Sequence, residues 1–272
     1  MKSSSLSSPS PSGSSPGNFS LPLLAVILAC CLAACTQTRE TRPRVFKKAS
    51  PAVMAATDMQ LAIEFMRLGK MSDSRDAIER ALAENPTNAD VQMTAGLIYE
   101  KLDEAKKAER AYSTGYRLGK DDPNIQNNYA GYLCRTGKAA EGERLFAQVA
   151  HSPLYQTPEV ALVNAGVCMR STGDMVDAER HFNEALAIRP NMPEALLQLG
   201  SIAFDNGDAA EARDVVQRYL AVNPPTAEVL WLGVRAARKL GDSVTAAAYA
   251  RRVQSEFPDS EQAQIMRSGI ER

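Results

Sequence analysis

A repeat of 34 residues governs what this chain can fold into. Gly173, Gly207 and Gly241 are spaced by 34, and Pro190, Pro224 and Pro258 keep the same step. Gly69 and Gly137 lie 68 apart, with Asp103 at their midpoint. One interval departs from the pattern: Gly137 to Gly173 spans 36, and its two extra residues fall in the stretch HSPLYQTPE. A period of this length marks a solenoid, whose units are too small to bury their apolar faces alone and must stack on their neighbours.

The residue types around these fixed points specify helices. Glycine suits the turn between two helices, and proline ends the second one. Repeat four places Gly166 and Gly173 before Ala178, Phe182, Ala185 and Pro190, and repeat five offers Gly200, Gly207, Ala212, Tyr219 and Pro224. Small residues let antiparallel helices approach closely, and larger apolar ones fill the gap between them. Period and residue types together are those of the tetratricopeptide repeat. The sequence therefore predicts an all-α, right-handed superhelical solenoid of six helix–turn–helix repeats at 55–88, 89–122, 123–156, 159–192, 193–226 and 227–260. A short capping helix with a polar outer face is predicted over 261–272. Repeat two is the most degenerate, with Gly115 where Ala is usual and Lys120 where Pro is usual. Aromatic residues make up only 6% of the chain, as expected where closely packed helix pairs leave little room for large rings.

Ahead of the repeats lies a segment concerned with export. Residues 21–34, LPLLAVILACCLAA, carry no charge. As a helix they would span about 21 Å, short of the roughly 30 Å bilayer core, which favours a signal peptide over a membrane anchor. The run ends Leu32-Ala33-Ala34-Cys35. This resembles a bacterial lipobox, which implies cleavage before Cys35, diacylglycerol on its thiol and acylation of the freed amine. Two or more chains anchor stably where one is marginal. Lys2 is the only basic residue before the apolar run, and residues 3–20 are rich in Ser, Pro and Gly. Thr36 stands where an Asp would favour inner-membrane retention in such lipoproteins, so the resemblance implies the outer membrane. Residues 36–54 read as a flexible tether, with Arg39, Arg42, Arg44, Lys47 and Lys48 facing the single acid Glu40. Those charges suit either anionic head groups or a solvated linker.

Concave solenoids typically bind extended or helical peptides. Positions 2, 5, 9 and 12 of each first helix face the concavity in tetratricopeptide repeats. That register predicts a partner-binding groove lined by Ala56, Met59, Ile63 and Met66 in repeat one and Met93 and Leu97 in repeat two. Val160, Val163 and Val167 follow in repeat four, then Leu197, Phe204 and Trp231 in repeats five and six. Repeat three turns polar, with Asn124, Asn127, Gly131 and Cys134. Two apolar patches are expected, one in repeats one and two and one in repeats four and five; such surfaces mark interaction sites.

Other functions find little support. The formal charge of −1, from 31 basic and 32 acidic side chains, argues against nucleic-acid binding. No catalytic elbow, phosphate loop or dinucleotide fingerprint occurs, and the two histidines, His151 and His181, lack a zinc spacing. His181 is expected at the surface of a second helix. Neither an enzyme, a small-molecule substrate, a metal nor a cofactor is expected, apart from the lipid on Cys35. Cys134 and Cys168 lie 34 apart on successive first helices. Axes 8–10 Å apart favour buried free thiols there, although an oxidising compartment would permit a bond.

Three runs narrow the class further: NNYAGYLCRTGK (127–138), SPLYQTPEVALVNAGVCMRSTGD (152–174) and TAEVLWLGVRAARKLGD (226–242). Together with the lipobox and the two-residue insertion, they resemble the type IV pilus biogenesis and stability lipoproteins, the PilF/PilW-type pilotins, over about residues 55–260. That resemblance implies an outer-membrane lipoprotein facing the periplasm. Its partner would be the pilus secretin, whose localisation and multimer assembly it would promote in support of twitching motility. The alternative is a tetratricopeptide lipoprotein that scaffolds peptidoglycan enzymes or outer-membrane barrel assembly.

Overall fold

The computed structural model describes residues 49–269, so the signal sequence, Cys35 and the tether up to residue 48 lie outside the described residues. Thirteen helices make up the described chain. They form six antiparallel pairs: α1 (Pro51–Arg67) with α2 (Met71–Glu84), α3 (Ala89–Lys101) with α4 (Ala105–Leu118), and α5 (Pro123–Arg135) with α6 (Ala139–Ala150). Next come α7 (Pro158–Thr172) with α8 (Met175–Ile188), α9 (Pro193–Asp205) with α10 (Ala209–Val222), and α11 (Ala227–Lys239) with α12 (Ser243–Glu256). A final helix, α13 (Glu261–Ser268), buries Ala263 and rests Met266 against the end of the stack.

The turn inside each pair explains the glycine period. Gly69, Gly137, Gly173, Gly207 and Gly241 all have φ between 71° and 90°, the left-handed region that L side chains avoid. The turn of the second pair makes the same reversal with Asp103, at φ 59° the one non-glycine residue in that region among the described residues. No atom lies within 4 Å of where a Cβ on any of the five glycines would sit, so backbone conformation sets the requirement there, not space. Helix starts are capped by short polar side chains. Asn88 accepts from the Val91 N–H at 3.0 Å, and Asp174, Asp208 and Asp242 do the same for the second helices of the last three pairs.

Helix α1 begins earlier than the sequence pattern suggests. Residues 51–54, expected within the tether, are helical. Proline fits the first helical turn, where its missing N–H has no intrahelical partner to lose, and the Ser50 hydroxyl accepts from the Val53 N–H. Pro51 is thus a helix start, where its position in a charged, aperiodic stretch reads as a loop.

Two large clusters of buried side chains fill the stack, one from α1 to α5 and one from α5 onward, and both pack against Tyr116 and Tyr129; Ala203, Ala212 and Ala236 form a small third one. Close approach within a pair is visible at Gly166, where an added Cβ would lie 2.5 Å from the ring of Phe182. The rings that the low aromatic content disfavours elsewhere gather at the junction between clusters. Tyr112 stacks on Tyr132 with centroids 4.3 Å apart, and Tyr116 on Tyr129 at 4.4 Å. The insertion forms the loop between α6 and α7, where Tyr155 turns inward and Leu154 is exposed. His181 corrects its surface expectation: it is only 2% exposed, with Nε2 2.9 Å from Oε1 of Glu143 on the preceding second helix. A carboxylate 38 residues away accepts from the imidazole and makes burial tolerable.

Candidate functional site: a cleft on the first helices

A cleft of about 910 Å³ opens across the first helices of repeats one to four. Helix α1 contributes Met59, and α3 contributes Asp90, Met93, Thr94 and Leu97. From α5 come Asn127, Gly131 and Cys134, a spacing of four and then three that keeps them on one helix face. Asn164, Val167, Cys168 and Ser171 occupy the matching face of α7.

The predicted groove residues divide. Met59 and Leu97 line the cleft half-buried, Val167 lines it 44% exposed, and Met93 forms its floor at 4% exposure. Ala56 is exposed and Ile63 and Met66 are half-buried, but none of the three lines the cleft. In repeat four, Val163 is 6% exposed and belongs to the core, and Val160 packs against it. Val163 stands at the fifth position of its repeat, as Met93 does in repeat two, and that position lies on the core side of the cleft in both. Asn164 follows at the sixth position and lines the cleft as Thr94 does.

The second apolar patch opens into the cleft only at Val167. Leu197 and Phe204 pack partly against core clusters, and Trp231 is half-buried. The Arg235 guanidinium lies 4.1 Å from the centroid of the Phe204 ring. Arg170 donates to Gln198 at 2.6 Å and to Asp205 at 3.1 Å, so polar groups bridge this stretch.

Cys134 and Cys168 form a disulfide, which corrects the expectation of free thiols. Their Cα atoms are 5.6 Å apart, inside the bonding range. Axis spacing misleads here. Each Cα sits about 2.3 Å off its axis, so residues that face each other are several ångströms nearer than the axes themselves. The bridge also needs room. A Cβ on Gly142 would collide with the Cys134 sulfur and come within 2.8 Å of the Ala130 carbonyl.

Polar groups join successive first helices along this face. Arg135 Nε donates to Glu100 Oε1 at 2.6 Å and its Nη2 to Oε2 at 3.0 Å, while the Tyr112 hydroxyl donates to Oε2 at 3.0 Å. Burial opposes ionisation of Glu100, but the hydrogen bonds and positive charge of Arg135 outweigh it and hold the carboxyl below its ordinary range. Burial pushes the Tyr112 hydroxyl far up, aided by the Glu100 charge, so it stays protonated as a donor. Asn164 Nδ2 donates to Asn127 Oδ1 at 3.1 Å. Among the described residues no cluster of three or more His, Cys, Asp or Glu is placed to hold a metal ion. The arrangement is suited to holding a chain of polar and apolar groups.

The tetratricopeptide repeat family matches residues 59–123, 169–237 and 228–260. The crystal structure of PilW, described as a widely conserved type IV pilus biogenesis factor, superposes with a TM-score of 0.65 at 30% identity, covering 78% of this chain and 97% of that one. The chain belongs to the PilW family of type IV pilus biogenesis proteins. The type IV pilus assembly protein PilF of Pseudomonas aeruginosa is 22% identical over 237 residues, 87% of this chain and 94% of its own length. A solved structure of Pseudomonas aeruginosa PilF shares the fold, with a TM-score of 0.61 at 20% identity, covering 81% of this chain and all of that one. For this PilW-family chain, the three runs that carry the resemblance sit at the cleft and at the last pair of the stack. The first run supplies Asn127 and Cys134 of α5, the second the α6–α7 loop and all of α7, and the third α11.

Proposed function

We propose that this protein is a lipid-anchored pilotin: a scaffold that holds the type IV pilus secretin at the outer membrane and promotes its assembly into multimers. Cys35 carries the lipid, and residues 36–48 with Ala49 and Ser50 connect it to α1. The cleft binds a segment of the secretin subunit. The observation that carries this reading is the open, mixed polar and apolar cleft on the first helices of a PilW-family stack. Anchoring the cleft at the membrane raises the effective concentration of bound secretin where the pore must form, without any new contact. The work is positional, and no bond is made or broken.

Secretin multimer abundance in outer membranes tests the proposal in a deletion strain complemented with wild type or with Cys35→Ala. The deletion is expected to lose most multimers and wild type to restore them. Cys35→Ala is expected to leave the protein unanchored and the multimers depleted or misplaced. Undiminished multimers in the deletion would refute the pilotin role, and full restoration by an unlipidated Cys35→Ala protein would refute the anchoring step.

A further inference from the structure

Two side-chain amides on the α5–α7 seam use only part of their hydrogen-bonding capacity within the protein. Asn164 Nδ2 donates to Asn127 Oδ1, and both residues are half-buried in the cleft lining. An amide–amide hydrogen bond engages one N–H and one carbonyl oxygen. It leaves the NH₂ of one partner and the oxygen of the other, here Asn127 Nδ2 and Asn164 Oδ1. If the bond ran the other way, a whole NH₂ and one unused oxygen would still remain, beside the second N–H of the donating amide.

We propose that this pair reads the main chain of an extended, uncharged polypeptide segment laid along the cleft. In a β-strand the N–H and C=O of one residue point to the same edge, and those of the next residue point to the other. One residue of an extended segment therefore presents the acceptor and donor that the amide pair lacks. The cleft has the length for it: three steps between neighbouring first helices, at 8–10 Å each, give roughly 24–30 Å, or about seven to nine extended residues.

Charge favours a neutral occupant. The lining carries only Asp90 and Arg135, and Arg135 is already tied to Glu100 by two hydrogen bonds. Met59 and Leu97 toward one end and Val167 toward the other accept apolar side chains at alternate positions of the segment. The geometry is also held in place beforehand. Cys134 lies two turns beyond Asn127 on α5, Cys168 one turn beyond Asn164 on α7, and their disulfide fixes the separation of the two helices. Pre-organised partners lose less entropy on binding.

The inference rests on the secretin reading, and its test separates the two. The full chain, purified in detergent, is presented with overlapping peptides that tile the secretin subunit. The best binder is then N-methylated one residue at a time. One position is expected to lose about tenfold in affinity, the scale of a single well-placed hydrogen bond, while its immediate neighbours change little. Asn164→Leu is expected to lose a similar factor and to be insensitive to methylation at that position; an unchanged melting temperature shows that the variant remains folded. Uniform sensitivity to methylation, or tight binding by the Asn127→Leu and Asn164→Leu variants, would overturn main-chain reading while leaving the pilotin role standing. If no peptide binds, yet secretin multimers still depend on the protein in cells, the extended occupant is wrong and the function is not. Multimers indifferent to the deletion would defeat the function itself.

Discussion

Single residues decide how closely the first helices approach and how they respond to pH. Gly142 faces the disulfide with no space for a methyl group, so Gly142→Ala is expected to cost about 1–3 kcal/mol through forced displacement of α5 or α6. Thermal melting measures this directly. Asp103 pays a conformational cost in a left-handed turn. Asp103→Gly is expected to gain about 0.5–1 kcal/mol, net of the extra freedom glycine has in the unfolded chain. Glu100 has its folded-state carboxyl held below its ordinary value of 4.5. A depressed acid contributes stability above its unfolded value and loses it as pH falls through the folded one. Glu100→Gln is therefore expected to melt below wild type at neutral pH, with the gap closing as the pH falls below the ordinary carboxylate range. A gap that is constant with pH would contradict this assignment. Asp103 was legible as a turn because it occupies the midpoint between two glycines. The burial of His181 was not, since its partner Glu143 lies on another repeat and no local pattern announces the pairing.

Helix pairs follow from the repeat pattern, whereas the exposure of each residue depends on what packs against its helix. Helices α3, α5, α9 and α11 begin at Ala89, Pro123, Pro193 and Ala227, each on the 34-residue step or displaced only by the insertion. The α7 face is harder to read, because repeat position alone does not say how deep the fifth residue sits: Val163, like Met93, is buried, while Asn164 lines the cleft as Thr94 does. The sequence pattern starts α1 four residues late, because Pro51 serves equally as a loop marker and as a first-turn residue. The disulfide is not legible in the sequence for a geometric reason: axis spacing hides how near two facing Cα atoms come. By closing a 34-residue separation in the unfolded chain, the bridge is expected to contribute about 2–4 kcal/mol. Melting with and without reductant checks this. Wild type should fall on reduction to the level of a Cys134→Ser, Cys168→Ser double variant, which should itself ignore reductant. An unaffected wild type, once thiol titration verifies reduction, would show that the stack supports α5 and α7 without the bridge.

At the scale of the whole molecule, the fold is a stack whose pairs touch mainly their neighbours, with tyrosines linking two core clusters near its middle. Stability in such an array is approximately a sum of unit and interface terms, so its ends should open first. Hydrogen exchange is expected to be slowest in α5 to α9 and fastest in α1, α12 and α13. In the proposed function the cleft, held at the membrane, brings secretin to its place of assembly. Leu97→Glu combined with Val167→Glu tests it most directly, because both side chains line the cleft and neither belongs to the fully buried core. The measurement is secretin multimer abundance in outer membranes of a deletion strain that expresses this variant at the wild-type level, with helical content and melting near wild type. Multimers as scarce as in the deletion are expected. Multimers restored to the wild-type amount by the charged variant would contradict the proposed function.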